Sequence, residues 1–425
     1  MLKYLLICPL FLLIISRSAG QNTLDDYLKS ASENSPLVRD NQNLSKVSEL
    51  EAERLHAFYK KAQVNLTGNF LFAPIVSTDN NQTRFESNPT NANNYLGYDL
   101  AASNGGVYQG LINFSQPLFN GGKAFEEQAE LMAETNLNTA KLSIHDLEKL
   151  VTDQYILCLQ DQNQLAFADS MTSLLREQVQ LVKKMVEGGL LKQSDLALVK
   201  IELQNYNGLH ATYKGTYQRD LMDLNVLCGI GDTTLVMIED PGLKLKQEET
   251  NANFLQKYRL DSLNVLATQK VFDAKYKPQL NLIANTGLNA VYAPTIPNRF
   301  GFSAGLNFTW NLFDGHQRKI TQKKTEIQLE TVSFYKENFQ TQNQVRKARV
   351  LNELKSYEER LVIMEDQLRE YENVMRTYTR EILQGQLSIV SYITTLKNRN
   401  MVQRDYLTLQ TNRLLLINMY NYWNW

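Results

Sequence analysis

The chain is poor in what a redox centre, a metal site or a catalytic loop would need. It has three cysteines and four histidines among 425 residues, none at a ligand spacing. Cys8 sits in an apolar leader, so Cys158 and Cys228 remain, and no disulfide framework or zinc pattern emerges. GxxxxGK[ST], HExxH and GxSxG are all missing, and no carboxylate cluster at a useful spacing accompanies His145, His210 or His316. Nothing in the sequence asks for catalysis, a cofactor or a metal. Proline is missing between Pro117 and Pro241 and again after Pro297, and residues 316–425 hold one glycine, Gly385. Beyond the leader, no apolar run approaches the roughly 18–20 residues of a membrane helix. If the chain crosses a bilayer, strands must do it.

Charge is as unremarkable. Residues 1–20 read as a secretory signal, with Lys3, an apolar stretch over 4–15, and Ser18 and Gly20 placed for cleavage before Gln21. Without Lys3 and Arg17, 42 basic residues face 45 acidic ones, a net −3. No field of one sign favours nucleic acid.

What is present is present twice. Residues 62–66, AQVNL, match 278–282, PQLNL; 118–121, LFNG, match 312–315, LFDG; and Gly189 matches Gly385. The offsets are 216, 194 and 196. The surplus of about 22 falls in a polar, Asn-rich loop, STDNNQTRFESNPTNANN, between the first pair of strand-like runs. The expected organisation is a signal (1–20), a first repeat (21–228) and a second (229–425). Each repeat reads helix, strand, loop, strand, helical hairpin. The strands are expected at about 62–72 and 107–118, then at 279–292 and 300–312.

The last of those strands alternates strictly, and the other three do so in part. From Phe300 to Leu312 every even residue is apolar and every odd one is small or polar. A half-buried soluble sheet is the ordinary reading of such alternation. Four features favour a membrane barrel instead: an uncharged Asn/Gln/Ser/Thr/Gly face, an aromatic-rich apolar face, an export signal, and four strands that would leave two bare edges. Asn281, Asn285, Asn307, Thr309 and Asn311 are then candidates to line water. Tyr108, Phe114, Phe302, Phe308 and Trp310 are candidates to meet lipid.

Long helical hairpins are expected over about 122–228 and 316–422, with turns at 188–195 and 384–391. Val350, Leu354, Tyr357, Leu361, Met364, Leu368, Tyr371, Met375, Tyr378 and Ile382 step by fours and threes, a left-handed coiled-coil seam. Leu175, Val179, Val182 and Val186 repeat it more weakly. Cys158 falls on the lattice of Leu354 and reads as a small core residue. Cys158 and Cys228 stand at unequal distances from Gly189, which disfavours a disulfide. Gly189 and Gly385 supply the left-handed residue of a turn, and Ser194-Asp195 can cap the returning helix.

This doubled order resembles the TolC-type outer-membrane efflux channels over the whole mature chain. "SQPLFNGGKA" and "TWNLFDGHQRK" are similar to that family's strand-to-helix junctions, with Phe119, Gly121, Phe313 and Gly315 at the turns; "EGGLLKQSDLALVKIEL" and "LQGQLSIVSYITTLKNR" are similar to its hairpin tips. The resemblance implies a mainly α fold with membrane β: a homotrimer whose twelve strands close one barrel in the outer membrane of a Gram-negative bacterium, above a coiled-coil tunnel. It implies a passive duct, not an enzyme, served by a periplasmic adaptor and an inner-membrane transporter for efflux or type I secretion. Gly189, Leu190, Ser194 and Asp195 correspond to the first tip; Gly385, Leu387 and Ser388 to the second. Where well-known members carry acids at the entrance, this chain has Ser391 and Thr394, leaving Asp195 as the nearby acid. The rival readings are a secreted coiled-coil spacer or adhesin, separable by salt-washing membranes, and a periplasmic adaptor, which would carry one hairpin rather than two.

Overall fold

The structure, a computed structural model, describes residues 23–86, 92–97, 106–118, 122–247, 252–291 and 293–425. The expected signal and the first junction, Phe119 and Gly121, lie outside the described residues. The chain forms two compact units that cut across the two sequence repeats: 23–40, 140–254 and 339–425 in one, 41–139 and 255–338 in the other.

Seven helices carry most of the described chain: α1 (Leu24–Asn34), α2 (Pro36–Lys60), α3 (Lys123–Glu187), α4 (Gln193–Cys228), α5 (Ala252–Ala274), α6 (Gln317–Leu383) and α7 (Ile389–Trp423). α3 and α6, of 65 and 67 residues, can be so long because neither contains proline or glycine. No helix among the described residues is long and apolar enough to cross a membrane.

In the first unit the expected seam is visible in burial. Val350, Leu354 and Ile382 are buried, and the seam positions from Tyr357 to Met375 are half-buried between exposed neighbours. A second core gathers Tyr27, Tyr155, Tyr217, Leu221, Leu224 and both free cysteines. Cys158 and Cys228 thus share one cluster although their distances from the turn differ. Burial pushes both thiols up, Cys228 to about 12, so they pack as inert apolar groups.

An extended strap, residues 229–247, lies over this core. Tyr155 Oη donates to Glu239 O at 2.7 Å and Tyr217 Oη to Val236 O at 2.5 Å. Gln162 holds Ile238 by both backbone groups: its Nε2 donates to Ile238 O at 3.0 Å, and its Oε1 accepts the Ile238 N–H at 2.8 Å. Side chains of α3 and α4 thus take the place of the neighbouring strand that Val236, Ile238 and Glu239 lack.

The second unit carries a four-stranded antiparallel sheet in the order β1 (Gln63–Phe72), β5 (Gly106–Pro117), β6 (Gln279–Ala290), β7 (Phe300–Thr309). A small sheet, β2 (Ile75–Ser77), β3 (Arg84–Glu86) and β4 (Tyr95–Leu96), forms in the longer first loop. The duplication reaches the hydrogen-bond register. Adding 216 to each β1 number and 194 to each β5 number turns one hairpin into the other. Gln63 opposite Ser115 becomes Gln279 opposite Thr309, and Phe70 opposite Tyr108 becomes Thr286 opposite Phe302.

β7 stops at Thr309 rather than at the expected 312. The reason is its partner: β6 begins at Gln279, which already faces Thr309, so Trp310, Asn311 and Leu312 have no strand beside them. β1 and β7 are the sheet's outer strands, and nearly every residue on both is exposed.

Candidate functional site: a two-faced sheet and two hairpin turns

The register sorts the four strands onto two faces. One presents Gln63, Asn65, Thr67 and Asn69 of β1, Gln109, Asn113 and Ser115 of β5, Gln279, Asn281, Asn285 and Asn289 of β6, and Ser303, Asn307 and Thr309 of β7, with Leu71, Val107, Leu111 and Ile283 interspersed. Strand alternation sends their neighbours to the other face. There lie Leu66, Phe70 and Phe72, then Tyr108, Ile112 and Phe114, then Leu280 and Leu288, then Phe300, Phe302, Leu306 and Phe308. Phe70 and Phe72 on β1 and Phe300, Phe302 and Phe308 on β7 are exposed, Phe302 by 89% and Phe308 by 59%, while Tyr108 and Phe114 between them are half-buried.

The polar face is knitted by its own amides. Asn113 Nδ2 donates to Asn65 Oδ1 at 3.1 Å and to Thr67 Oγ1 at 2.8 Å; Ser303 Oγ donates to Asn285 Oδ1 at 3.0 Å. One turn of the pleat further, Asn69 Nδ2 donates to Gln109 Oε1 and Gln109 Nε2 to Asn289 Oδ1, each at 3.3 Å. No charged residue stands on either face of the four strands as described. Two sequence candidates fall outside the ladder: Asn311 instead donates to Lys275 O at 3.0 Å, and Trp310 is half-exposed beyond the strand end.

The second junction explains its own letters. Asp314 caps α6: Oδ1 accepts the His316 N–H at 2.9 Å and Oδ2 the Arg318 N–H at 2.8 Å. Gly315 and His316 both take left-handed backbone, φ 63° and 68°, to swing the chain from strand direction into helix. Phe313 is left 82% exposed.

The hairpin turns are twins. Gly189 and Gly385 have φ 77° and 71°. Leu190 N–H donates to Met185 O and Gly189 N–H to Val186 O; Gln386 N–H donates to Glu381 O and Gly385 N–H to Ile382 O, so each turn closes in the same pair of hydrogen bonds. The capping differs from expectation. Ser194 is inside α4 and caps nothing; Lys192 is the cap residue, and Asp195 Oδ2 accepts its N–H at 2.9 Å. In the second turn Ser388 Oγ accepts the Val390 N–H at 3.2 Å. Leu190 is 61% exposed, while Leu387 packs on the core beneath. Ser391 and Thr394 are exposed on α7, Thr394 bonded to Val390 O.

Beneath the turns, Met185, Leu196, Val199, Ile382, Ile389, Tyr392 and Leu396 form one core from both hairpins. Asn400 Nδ2 donates to Tyr206 Oη at 2.5 Å, and Lys397 meets the buried Glu202 at 3.0 Å.

Sequence reasoning missed one group. Asp161 on α3 is 7% exposed and shares a hydrogen bond with Asp220 on α4, while its Oδ2 finds no partner. Burial first, and then the neighbouring carboxylate, raise it to about 7, so it holds a proton where carboxylates are ordinarily charged. Among the described residues, no three His, Cys, Asp or Glu side chains gather as a metal would need.

No family model and no curated protein sequence matches the chain. Its fold is nevertheless that of the TolC-type outer-membrane efflux channels. Similar solved structures include CusC, 13% identical with a TM-score of 0.72 over 94% of this chain and 92% of that one. VceC of Vibrio cholerae is 14% identical, with a TM-score of 0.69 over 94% and 95%. The open state of MtrE from Neisseria gonorrhoeae is 12% identical, with a TM-score of 0.70 over 95% and 89%.

Proposed function

We propose that this protein is a passive exit duct in the outer membrane of a Gram-negative bacterium. The observation that carries the reading is the two-faced sheet: uncharged amides on one side, exposed aromatics on the other, and both outer edges open. A sheet in hydrocarbon must satisfy every backbone group by pairing, so four strands can serve there only as part of a closed ring. Three copies, as the resemblance implies, supply twelve strands, with the aromatics toward lipid and the amides toward water.

The hairpin turns are the ends at which a periplasmic adaptor and an inner-membrane transporter would dock. Leu190 stands exposed there over a well-packed core, which suits a contact surface. The entrance would differ from that of acid-ringed channels: Ser391 and Thr394 are uncharged, and Asp195 is engaged in capping α4. Efflux and type I secretion share this architecture, and the transporter decides between them.

The test is reconstitution. Purified protein is expected to run as a heat-stable trimer and to open stepwise conductances in planar bilayers. Folded protein that does neither overturns the reading, and release from membranes by high salt would favour a secreted coiled-coil spacer.

A further inference from the structure

Resting on the channel reading, the structure assigns the register in which the open edge of β7 meets the open edge of β1 in a second copy. The partner is this chain itself, and the lumen wall is incomplete without it.

The argument starts from the one seam the chain closes alone. β5, the return strand of the first hairpin, pairs with β6, the leading strand of the second. β7 is the return strand of the second hairpin, and in a ring its neighbour must be the leading strand of a first hairpin, β1 of the next copy. The two hairpins have the same internal register under the offsets 216 and 194. The same offsets therefore carry the inner seam onto the outer one.

Asn113 opposite Asn285 becomes Asn307 opposite Asn69. Ser115 opposite Ile283 becomes Thr309 opposite Thr67, and Pro117 opposite Asn281 becomes Asn311 opposite Asn65. On the other face, Phe114 opposite Ala284 becomes Phe308 over Gly68, an aromatic covering a strand glycine.

An independent feature supports this register. β5 continues past Ser115, where its pairing with β1 ends, because Gln116 and Pro117 pair with β6 alone and Leu118 N–H bonds Leu280 O at 2.8 Å. The equivalent residues of the second hairpin are Trp310, Asn311 and Leu312. These continue the apolar and polar alternation of β7 with no strand beside them in this chain. In the inferred register they meet Leu66, Asn65 and Val64 of the next copy. The strand signal that outruns the ladder is the part that belongs to the seam.

The register also fixes which pairs lie close. Leu118 bonding Leu280 makes the even-numbered pairs of the inner seam the hydrogen-bonded ones, so Asn113 and Asn285 form a non-bonded pair, with Cα atoms about 4.5 Å apart. Asn69 and Asn307 inherit that geometry, which is within disulfide reach.

The experiment uses full-length protein in membranes, with Cys158 and Cys228 buried and the single variants as controls. Under mild oxidation the double variants Asn69→Cys/Asn307→Cys and Thr67→Cys/Thr309→Cys are expected to give covalent multimers on non-reducing gels. Asn69→Cys/Gly305→Cys and Asn69→Cys/Thr309→Cys, each slipped by two residues, are expected to give at least tenfold less. Preferential crosslinking of either slipped pair overturns the register, as does a heat-stable oligomer in which none of the four pairs links. A folded protein that forms no oligomer and no pore fails the channel reading itself.

Discussion

Replacing Asp161 by asparagine gives the sharpest test of how the first unit is held together. The carboxyl keeps its proton in the native state up to about pH 7, whereas in the unfolded chain it would ionise near its ordinary 3.8. Between those values folding takes up a proton, so native stability falls as pH rises, by about 1.4 kcal/mol per pH unit. The loss levels off above pH 7 and amounts to at most about 4 kcal/mol, less whatever water and the nearby Arg219 guanidinium screen. Asparagine keeps a donor toward Asp220 and titrates nowhere. Asp161→Asn is thus expected to be neutral or slightly harmful near pH 4 and increasingly stabilising toward pH 8. For a unit of this size the gain at pH 8 corresponds to a melting shift on the order of 10 °C. Thermal melts by circular dichroism at pH 4.5, 6 and 8 read it directly. A stability difference that is flat across this range, or that shrinks as pH rises, would refute the protonated state of Asp161 beside Asp220.

Gln162→Ala removes both hydrogen bonds on Ile238 and is expected to cost about 2–3 kcal/mol, with faster proteolysis confined to residues 229–247. Phe308→Lys places a charge on the apolar face and should cost roughly 2–4 kcal/mol in membrane assembly, read as loss of the heat-stable oligomer. Asn307→Lys, one residue away on the amide face, should leave that oligomer in place and move the reversal potential toward anions. Tyr206→Phe leaves Asn400 without its buried partner and should lower stability by about 1–2 kcal/mol without altering conductance.

The sequence disclosed the skeleton because its signals are periodic. Alternation over Phe300–Thr309, the seam from Val350 to Ile382 and the absence of proline each follow from backbone geometry alone. The Gly189 and Gly385 turns were equally legible, since only glycine takes that backbone cheaply. What escaped was set by contacts between distant segments. Gln162 looks like any polar residue on a helix until the strap lies across it, and Asp161 reads as a solvated charge until α4 brings Asp220 beside it. Ser194 misled because serine is a good cap, yet the turn geometry placed the cap two residues earlier. Trp310 to Leu312 carried a true strand pattern whose partner strand is not opposite them in this chain.

The bare edges of β1 and β7 bear on the order of events during biogenesis. Soluble sheets guard an outer strand with lysine, proline or a bulge; Gln63–Phe72 and Phe300–Thr309 have neither lysine nor proline. As a subunit of the proposed barrel, a single copy would offer two bare ribbons of ten residues, and it could not enter hydrocarbon first and find its companions later. On that reading, association and insertion would be one concerted step. Unassembled chains would then need cover over those strands to escape aggregation, so the yield of this protein in a foreign host would be limited by crowding of unassembled chains rather than by the stability of the finished structure.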